Sequence, residues 1–545
     1  MQSLSDHHQQ QGNEHTSKGN IHSEVSHQQQ HHHQTDTLTK LIFKLTGVAI
    51  LFRLMIILWI LVVDYLVKDY DSSSYADIAL INSNNSTISI GRNIDQFSED
   101  QAKTINYTFG NPLYYGRGFA HWDGVFFLRI ASKGQYEYES FFAFFPFYPM
   151  TIRTVTLYVI RPFMTALTYF TNIRDSNNYG DLTPFMISGV LISNICFVIS
   201  VGIFIKLTWE LVGRNSYYTH FVRTSALLYI FNPATVFMSV VYTESMFSLF
   251  SLCGMYYHVR KRHIFSCLFF ALATCTRGNG IALAGFYIYQ FMLEEYLRWK
   301  NSKRDDLTRN ISKTIMAFLK YIVFGCFIVW LPYITFQAYG YYQFCTEQSN
   351  QLALTIIQSL NDSGVNTHFQ DYLAQVHPWC LTRIPHLYSY VQSKYWNVGF
   401  LKYYELKQVP NFILAFPVIT ISLCGIFQYA RHNKQYFLSL GFRASTSQPQ
   451  TQQSHDHTAA YFLNNKSMLV FVYYWFTLVL QGLAIMHIQV LTRFISSALP
   501  IFYWFSAHLV LVENRSTTVP KLILCYFLSY ALIGCVLFSN FYPWS

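Results

Sequence analysis

The stretch His487-Ile488-Gln489-Val490-Leu491-Thr492-Arg493 lies between two long apolar runs, at residues 468–487 and 490–511. An apolar run of about 20 residues is long enough to cross a bilayer as a helix. Charged side chains are costly at membrane depth and mark a functional site there by default. The stretch therefore predicts a polytopic membrane protein with a functional site close to one face of the membrane.

The composition of the whole chain also indicates a membrane protein. Of its 545 residues, 52% are hydrophobic, 18% are aromatic and only 12% are charged, whereas about 25% of residues are charged in an average soluble protein. Aromatic side chains gather where membrane proteins meet the bilayer surface. The net charge of +10 fits an excess of Lys and Arg in cytosolic loops, so no nucleic-acid partner is expected.

Apolar runs along the chain predict an all-α bundle of about eleven transmembrane helices. The first run, residues 41–66, carries Arg53 near its middle. A charge at that depth marks either a function or a paired or snorkelling side chain. Asn232-Pro233 breaks the run at residues 224–257, so a pair of crossings is the alternative to a single one there. The remaining runs cover residues 142–169, 184–209, 264–276, 278–297, 316–339, 409–430, 468–487, 490–511 and 521–540.

Charge sets the predicted orientation of this membrane domain, which covers residues 41–545. The basic loops share one side of the membrane if the N-terminus is cytosolic, as the positive-inside rule requires. The long loops at residues 67–140 and 340–408 are then luminal. Residues 1–40 and about 443–458 are rich in Gln, Ser and His, and this composition predicts a disordered cytosolic tail and a disordered cytosolic insertion.

Cysteines and glycosylation sequons bear on the compartment that the loops face. Most of the ten Cys lie in apolar runs and are interpreted as small hydrophobic residues. Cys345 and Cys380 share one polar loop, and they form a disulfide only if that loop faces an oxidising lumen and the two residues meet. Sequons begin at Asn84, Asn85 and Asn106 in the other predicted luminal loop. No Cys/His spacing indicates zinc.

Four polar clusters fall on the predicted luminal side. In the first, Asp123 follows His121 and Trp122 in a segment with the alternation of an amphipathic helix. A carboxylate at the membrane surface can act as general base on a sugar hydroxyl, although an Asp near a helix start is more often a cap. The second cluster holds Arg277 and Asn279. It is suited either to a phosphate, through forked Arg hydrogen bonds, or to an ordinary Gly-rich helix connection.

The third and fourth clusters lie nearer the C-terminus. Trp396 and Asn397 precede Lys407 in the third cluster, where a ring beside an amide suits the apolar face and the hydroxyls of a sugar. The alternative is an interfacial aromatic belt. The fourth cluster contains Gln489 and Arg493, and its Arg is a second candidate for a lipid phosphate.

Together these stretches resemble the PIG-V family of mannosyltransferases, which act in GPI-anchor synthesis. The resemblance covers roughly residues 41–540 and leaves out the N-terminal tail and the insertion. The stretch that begins at Tyr395 is the most specific part. The matching strings are HWDG, FAFFPFYP, FNPATVFMSVVYTESMF, TRGNG, YWNVGFLKYYELKQVPNF, HIQVLTRF and PIFYWFSAHL.

The resemblance implies a GT-C glycosyltransferase, a polytopic helical bundle of the endoplasmic reticulum membrane whose luminal loops form the active site. The implied donor is dolichyl-phosphate-mannose. The implied acceptor is a GPI precursor that carries one mannose on glucosaminyl-phosphatidylinositol. The product then carries a second mannose in α-1,6 linkage. Because the donor is β-linked and the product α-linked, one inverting displacement suffices.

The resemblance also implies roles for individual residues. Asp123 is the expected general base, and Arg277 or Arg493 is expected to hold the leaving dolichyl phosphate. No metal and no cofactor is expected, since the chain has a single Asp after Trp122 where many GT-C enzymes carry an Asp-x-Asp pair. Substrate binding is expected of His121, Trp122, Glu139, Arg277, Asn279, Trp396, Asn397, Lys407, Gln489 and Arg493.

Two other functions compete with this prediction. A transporter or flippase would use buried charges and broken helices equally well, although such proteins are often built from internal repeats and none is visible here. The second alternative is another enzyme that uses dolichyl-phosphate-mannose. The specific match of the stretch that begins at Tyr395 argues against it. A small membrane partner subunit is left open by the sequence.

Overall fold

A computed structural model describes the backbone of residues 5–70, 114–171, 182–212, 218–301, 307–361, 377–443, 462–512 and 518–544. Side chains of the first helix are described from Thr35 onward. The sequons and residues 444–458 of the predicted insertion lie outside these ranges. The predictions for those segments therefore stay predictions. The backbone of residues 5–40 is helical as the first part of α1, and the prediction for a cytosolic tail at residues 1–40 stays a prediction as well.

All regular structure in the described ranges is helical, which confirms the all-α fold class. Short 3-10 segments connect many of the helices, and π-helical turns interrupt two of them, at Thr156–Ile160 and Leu319–Cys326. The α-helices are α1 (Ser5–Leu66), α2 (Asp123–Lys133), α3 (Phe147–Val155), α4 (Arg161–Thr171), α5 (Thr183–Val212), α6 (Thr219–Ile230), α7 (Glu244–Val259), α8 (His263–Thr276), α9 (Gly285–Lys300), α10 (Leu307–Phe318), α11 (Phe327–Asn361), α12 (Leu387–Trp396), α13 (Val409–His432), α14 (Lys434–Leu438), α15 (Leu469–Ala484), α16 (Leu491–Ala498), α17 (Pro500–Val512) and α18 (Thr518–Ser539).

The number of helices that could each cross a membrane is smaller than the sequence predicts. Within the described residues, six helical segments are long and apolar enough to span, or seven if the pair α16 and α17, bent by 87°, counts as one. The predicted count of about eleven is not confirmed. The chain is nevertheless a multi-pass membrane protein, with spans at Thr35–Leu66, Thr183–Val212, Thr308–Thr346, Leu406–His432, Lys466–Ala484 and Thr518–Ser539.

The missing spans have a physical cause in the central part of the chain. The predicted run at residues 224–257 divides into α6 and α7, which are separated by residues 231–243 in irregular turns. At about 1.5 Å per residue, helices of this length fall short of a hydrocarbon core of about 30 Å. α7 packs between α5 and α8. Broken helices therefore fill the interior of the bundle, and the turn at residues 231–243 opens toward the site described below.

The first helix turns one face to the bundle and the other outward. Ile56 and Ile60 are fully buried, whereas Leu51, Leu54 and Leu58 are exposed. An apolar exposed face is what a lipid-facing helix requires, because lipid solvates it as well as the protein interior does. This pattern supports α1 as an outer helix of the bundle.

Arg53 lies on the buried face of α1 and is 2% exposed. Its Nη1 donates to Ser239 Oγ at 2.9 Å and to the Thr235 carbonyl at 3.2 Å. Its Nη2 donates to the Ile230 carbonyl at 3.3 Å, and the guanidinium lies 4.0 Å from the Phe197 ring centroid. Arg53 therefore satisfies the open carbonyls where α6 ends, and it fixes the irregular turn that follows.

We expect Arg53→Ala to lower the free energy of unfolding by about 2–4 kcal/mol, because it leaves buried carbonyls without donors. The measurement is the temperature of half-loss of the monodisperse peak in detergent. Lys44→Ala is the matched control, since Lys44 is a cation on the exposed face of the same helix. Equal shifts for the two variants would contradict a structural role of Arg53.

Part of the predicted loop at residues 340–408 is helical. α11 continues past Gly340 to Asn361, and α12 forms within the second half of the segment. Cys345 and Cys380 are joined by a disulfide with a Cα–Cα distance of 5.6 Å. The disulfide ties α11 to the 3-10 turn Pro378–Leu381, just ahead of α12.

Candidate active site

A cavity of about 540 Å³ lies where the ends of several helices meet. The N-termini of α2 and α7 face it, together with the C-termini of α8 and α12 and the start of α16. Its wall includes the predicted residues Asp123, Arg277, Asn279, Trp396 and Arg493. Four clusters that are distant in sequence thus share one cavity, as the sequence predicts for a single site.

Asp123 and Arg493 form an ion pair inside this cavity. Arg493 Nη1 donates to Asp123 Oδ2 at 2.9 Å, and the two side chains are 15% and 29% exposed. The guanidinium of Arg493 also lies over the rings of Phe237 and Tyr242, at 5.2 and 5.5 Å from their centroids. The carboxylate is therefore held in a fixed position while it stays open to a ligand.

The backbone around Asp123 explains how its side chain reaches the cavity. Asp123 is the first residue of α2, and Trp122 before it has φ 55°, in the left-handed region that a side chain disfavours. The Asp123 backbone N–H donates to the Tyr242 hydroxyl at 3.1 Å. The carboxylate does not cap its own helix, because it is turned toward Arg493. The structure therefore speaks against the capping alternative.

Glu244 is a central residue of the site that the sequence analysis did not single out. Its side chain is fully buried at the start of α7. Glu244 Oε1 accepts from Arg277 Nη1 in close contact and lies 3.9 Å from Arg493 Nη1. Arg277 Nη1 also donates to Thr243 Oγ1 at 3.2 Å. Charges of alternating sign therefore run through the site in the order Asp123, Arg493, Glu244, Arg277.

The Gly-rich turn after α8 sets the place of Arg277. Arg277 has an extended backbone and ends the helix, and the 3-10 segment Gly278–Ala284 follows at once. A Cβ added to Gly280 would lie 2.5 Å from the Thr274 Cα. Only glycine allows the turn to fold this closely against α8. The turn thereby directs both Arg277 and Asn279 to the cavity.

His121 lies behind the cavity wall and contacts the C-terminal segment. Its ring stacks on Phe541 at 3.5 Å between centroids, and its Nδ1 lies 3.2 Å from the Phe538 carbonyl. Burial lowers the pKa of His121 to about 3. The imidazole is therefore neutral at physiological pH. Phe538 packs edge-on against Tyr242, at 5.4 Å between centroids. Residues 538–541 therefore contact both His121, which precedes Asp123 in the chain, and Tyr242, which accepts a hydrogen bond from the Asp123 backbone.

Glu139 does not line the cavity. Its carboxylate is buried and contacts His377 Nδ1, and it lies 3.8 Å from Lys394 Nζ. His377 precedes the disulfide-bonded turn, and Lys394 belongs to α12, which carries Trp396 into the cavity. The contacts of Glu139 with His377 and Lys394 therefore tie α12 to the first predicted luminal loop.

The third and fourth clusters only partly face the cavity. Asn397 ends α12 in the left-handed conformation, with φ 51°. Lys407 is mostly exposed and pairs with Glu405 at 2.6 Å. Gln489 accepts a hydrogen bond from the Tyr403 hydroxyl at 3.1 Å. The predicted residues outside the cavity lining are His121, Trp122, Glu139, Asn397, Lys407 and Gln489; their substrate-binding roles stay predictions.

The profile of the mannosyltransferase (PIG-V) family matches residues 42–545. The chain belongs to the PIG-V mannosyltransferase family. Membership confirms the prediction of a glycosyltransferase and speaks against the transporter or flippase alternative. In the described residues no group of three or more His, Cys, Asp or Glu side chains could hold a metal ion, and the prediction of a metal-independent mannosyltransferase remains to be tested.

Individual relatives support this assignment to the PIG-V family. A human protein named GPI alpha-1,6-mannosyltransferase 2 is 32% identical over 469 residues, which cover 78% of this chain and 88% of the human protein. GPI mannosyltransferase 2 of Drosophila melanogaster is 29% identical and covers 78% of this chain and 87% of the fly protein. The protein of the same name from Schizosaccharomyces pombe is 29% identical over 58% of this chain and 55% of its own length. No solved structure matches the chain.

Phe541→Ala is expected to lower kcat of this mannosyltransferase by about 10–100-fold, because a displacement of about 1 Å in a reacting group can cost about 10²-fold in rate. KM should stay within about threefold, since Phe541 does not line the cavity. Tyr542→Ala is the matched control; its ring packs against Tyr70 at 5.3 Å. Initial rates in membranes measure both variants. Similar losses in the two would show that the segment acts on stability alone.

Proposed function

We propose that the protein transfers the second mannose of a GPI anchor, in α-1,6 linkage. The donor is dolichyl-phosphate-mannose, and the acceptor is the precursor with one mannose on glucosaminyl-phosphatidylinositol. The observation that carries the proposal is a cavity among helix ends in which the Asp123 carboxylate is held 2.9 Å from a guanidinium and a second arginine lies beyond a buried Glu244. The names of the relatives supply the linkage and the class of acceptor.

The chemistry is a single displacement at the anomeric carbon of mannose. Asp123 accepts the proton of the acceptor's 6-hydroxyl as its oxygen forms a bond to that carbon. The bond between the anomeric carbon and the phosphate oxygen breaks, and dolichyl phosphate leaves with the electron pair. Its charge grows in this step, so a guanidinium already in place stabilises the transition state. The configuration changes from β to α, as one displacement requires.

The aromatic wall of the cavity suits a sugar. Trp396 lies edge-on to Phe144, at 5.8 Å between ring centroids, and to Phe126, at 6.3 Å. Trp396 and Phe144 both line the cavity. Rings of this kind give an apolar surface to the carbon-bound hydrogens of mannose, while Arg and Asn side chains donate to its oxygens. The apolar spans place the protein in a membrane, the compartment in which lipid-linked substrates such as these are held.

The disulfide supports a luminal active site in the endoplasmic reticulum. Disulfides persist in oxidising compartments, and Cys345–Cys380 lies next to the ion pairs that fix α12. α12, which begins shortly after the disulfide-bonded turn, carries Trp396 into the cavity. A luminal cavity is where a dolichol-linked sugar and a GPI precursor would meet.

The test is the lipid profile of cells that lack their own second GPI mannosyltransferase. Expression of this chain should remove the accumulated one-mannose precursor and restore GPI-anchored proteins at the cell surface. Localisation to the endoplasmic reticulum and expression level are checked by immunodetection. A well-expressed, correctly localised wild-type chain that leaves the one-mannose precursor in place would refute the proposed acceptor.

A further inference from the structure

Arg277 and Arg493 use their guanidinium groups differently. Arg493 Nη1 donates a hydrogen bond to Asp123. The Nε of Arg493 is buried and has no hydrogen-bond partner among the described residues. Both side-chain hydrogen bonds of Arg277 leave from Nη1, one to Thr243 and one to Glu244. Across the described ranges, the Nε and Nη2 of Arg277 have no protein acceptor, and Arg277 lines the cavity.

A second donor lies close to Arg277 along the chain. The Asn279 Nδ2 is buried and has no hydrogen-bond partner in the described part of the chain, although Asn279 lines the same cavity. A buried amide without an acceptor is destabilising. A ligand oxygen in the cavity would remove that cost. The turn that carries both residues is held tightly by Gly280, which excludes a larger side chain there.

We infer that Arg277 and Asn279 form the subsite for the phosphate group of the donor, and that Arg493 serves Asp123 instead. The inference rests on the proposed function and chooses between the two arginines. The Nε–Nη2 edge of a guanidinium is a fork whose two parallel N–H groups match two phosphate oxygens. Arg277 keeps both N–H groups of that edge without a protein acceptor among the described residues, whereas the guanidinium of Arg493 is already bonded to the Asp123 carboxylate.

The order of charges gives the same assignment. In an inverting displacement, the base and the leaving group lie on opposite faces of the reacting carbon, and the two catalytic carboxyls of inverting glycosidases are about 6.5–9.5 Å apart for that reason. A cation 2.9 Å from Asp123 is on the side of the base. Arg277 is separated from Asp123 by both Arg493 and Glu244 in the chain of contacts. In this arrangement the mannose of the donor lies between the base and the phosphate.

Glu244 has a distinct task in this arrangement. It occupies the Nη1 corner of Arg277 and thereby turns the opposite edge of the guanidinium toward the cavity. Glu244 belongs to the cavity wall, but it is fully buried and its Oε1 is engaged by Arg277. It acts as a positioning residue for Arg277, and through the 3.9 Å contact it also limits the movement of Arg493.

The test measures binding and turnover separately, with the purified full-length protein in lipid nanodiscs. Dolichyl phosphate, the leaving lipid, is the binding probe, and inorganic phosphate is added as competitor. Arg277→Gln should weaken dolichyl phosphate binding by about 10–100-fold, and Arg277→Lys, which keeps the charge without the fork, by about tenfold. Asn279→Ala should weaken it by about fivefold. Arg493→Gln should lower kcat and leave this affinity within about threefold.

The alternative outcomes are distinct. Binding that is unchanged in Arg277→Gln and weakened in Arg493→Gln reverses the assignment. Equal affinity in wild type, Arg277→Gln and Arg277→Lys rejects the subsite even if the wild type transfers mannose. A wild type that makes no two-mannose product, while Arg277→Gln loses dolichyl phosphate binding, refutes the proposed reaction and leaves the phosphate subsite standing. Inorganic phosphate that competes in the wild type shows that the phosphate group, rather than the polyprenyl chain, is recognised.

Discussion

Asp123→Asn is expected to reduce kcat for mannosyl transfer by about 10²–10⁴-fold, the usual contribution of a general base. The substitution keeps the size of the side chain, and the amide oxygen can still accept from Arg493, which lies 2.9 Å from the carboxylate. The protein should therefore fold and bind both lipids as the wild type does. Initial rates of formation of the two-mannose lipid in membranes, with varied donor, separate kcat from KM.

The matched control for this experiment is Glu137→Gln. Glu137 lies just after α2, the helix that begins at Asp123, and its carboxylate pairs with Arg129 at 2.7 Å. Glu137 does not line the cavity. Its substitution removes one negative charge from a neighbouring ion pair, so any general effect of charge loss appears there too. A kcat for Asp123→Asn above about one tenth of the wild-type value would mean that Asp123 is not the base, because a base contributes at least about 10²-fold.

Glu244→Ala is expected to lower the free energy of unfolding by about 3–5 kcal/mol and to abolish turnover. Removal of one partner from a buried ion pair leaves the other charge uncompensated, and this costs more than the pair itself contributes. Two guanidinium groups lose their shared anion here, at Arg277 and Arg493. Thermal stability in detergent and transfer activity in membranes should fall together.

Glu210→Ala serves as the control for Glu244→Ala. Glu210 lies 3.9 Å from Arg260, and both side chains are partly exposed. A partly exposed pair contributes about 0–1 kcal/mol, so this variant should keep its stability and activity. If Glu244→Ala instead melts with the wild type, the two arginines have found another anion and the buried carboxylate is not structurally required.

The sequence predicts the residues of this site better than its architecture. Three predicted residues stand out because each is a charge beside or within an apolar stretch: Arg493, Arg277 and Asp123. Charged side chains at membrane depth are energetically costly and therefore indicate a functional site. Asn279 and Trp396 were predicted from their neighbours in the same strings. All five line the cavity, whereas the other six predicted residues do not, and the roles of all eleven stay predictions.

Glu244 is a residue of the site that local sequence context did not identify. Glu244 is also a charge within an apolar run. Its place in the site depends on its contacts with Arg277 and Arg493, which are distant in sequence. The predicted span count was not confirmed for a related reason. Hydropathy alone does not distinguish a buried, broken helix from one that crosses the bilayer, and α7 is of the first kind, packed between α5 and α8.

The contact between His121 and Phe538 joins residues 417 positions apart, and it sets the order in which the enzyme can be assembled. At about 5–20 residues per second of synthesis, the ribosome takes about 20–80 s to pass from one to the other. During that interval the Trp122 turn has neither Phe538 nor Phe541 beneath it. A chain that stops early, or whose final helix fails to insert, would carry every charged residue of the site and still hold Asp123 out of place. We therefore expect catalytic competence to require insertion of the final helix.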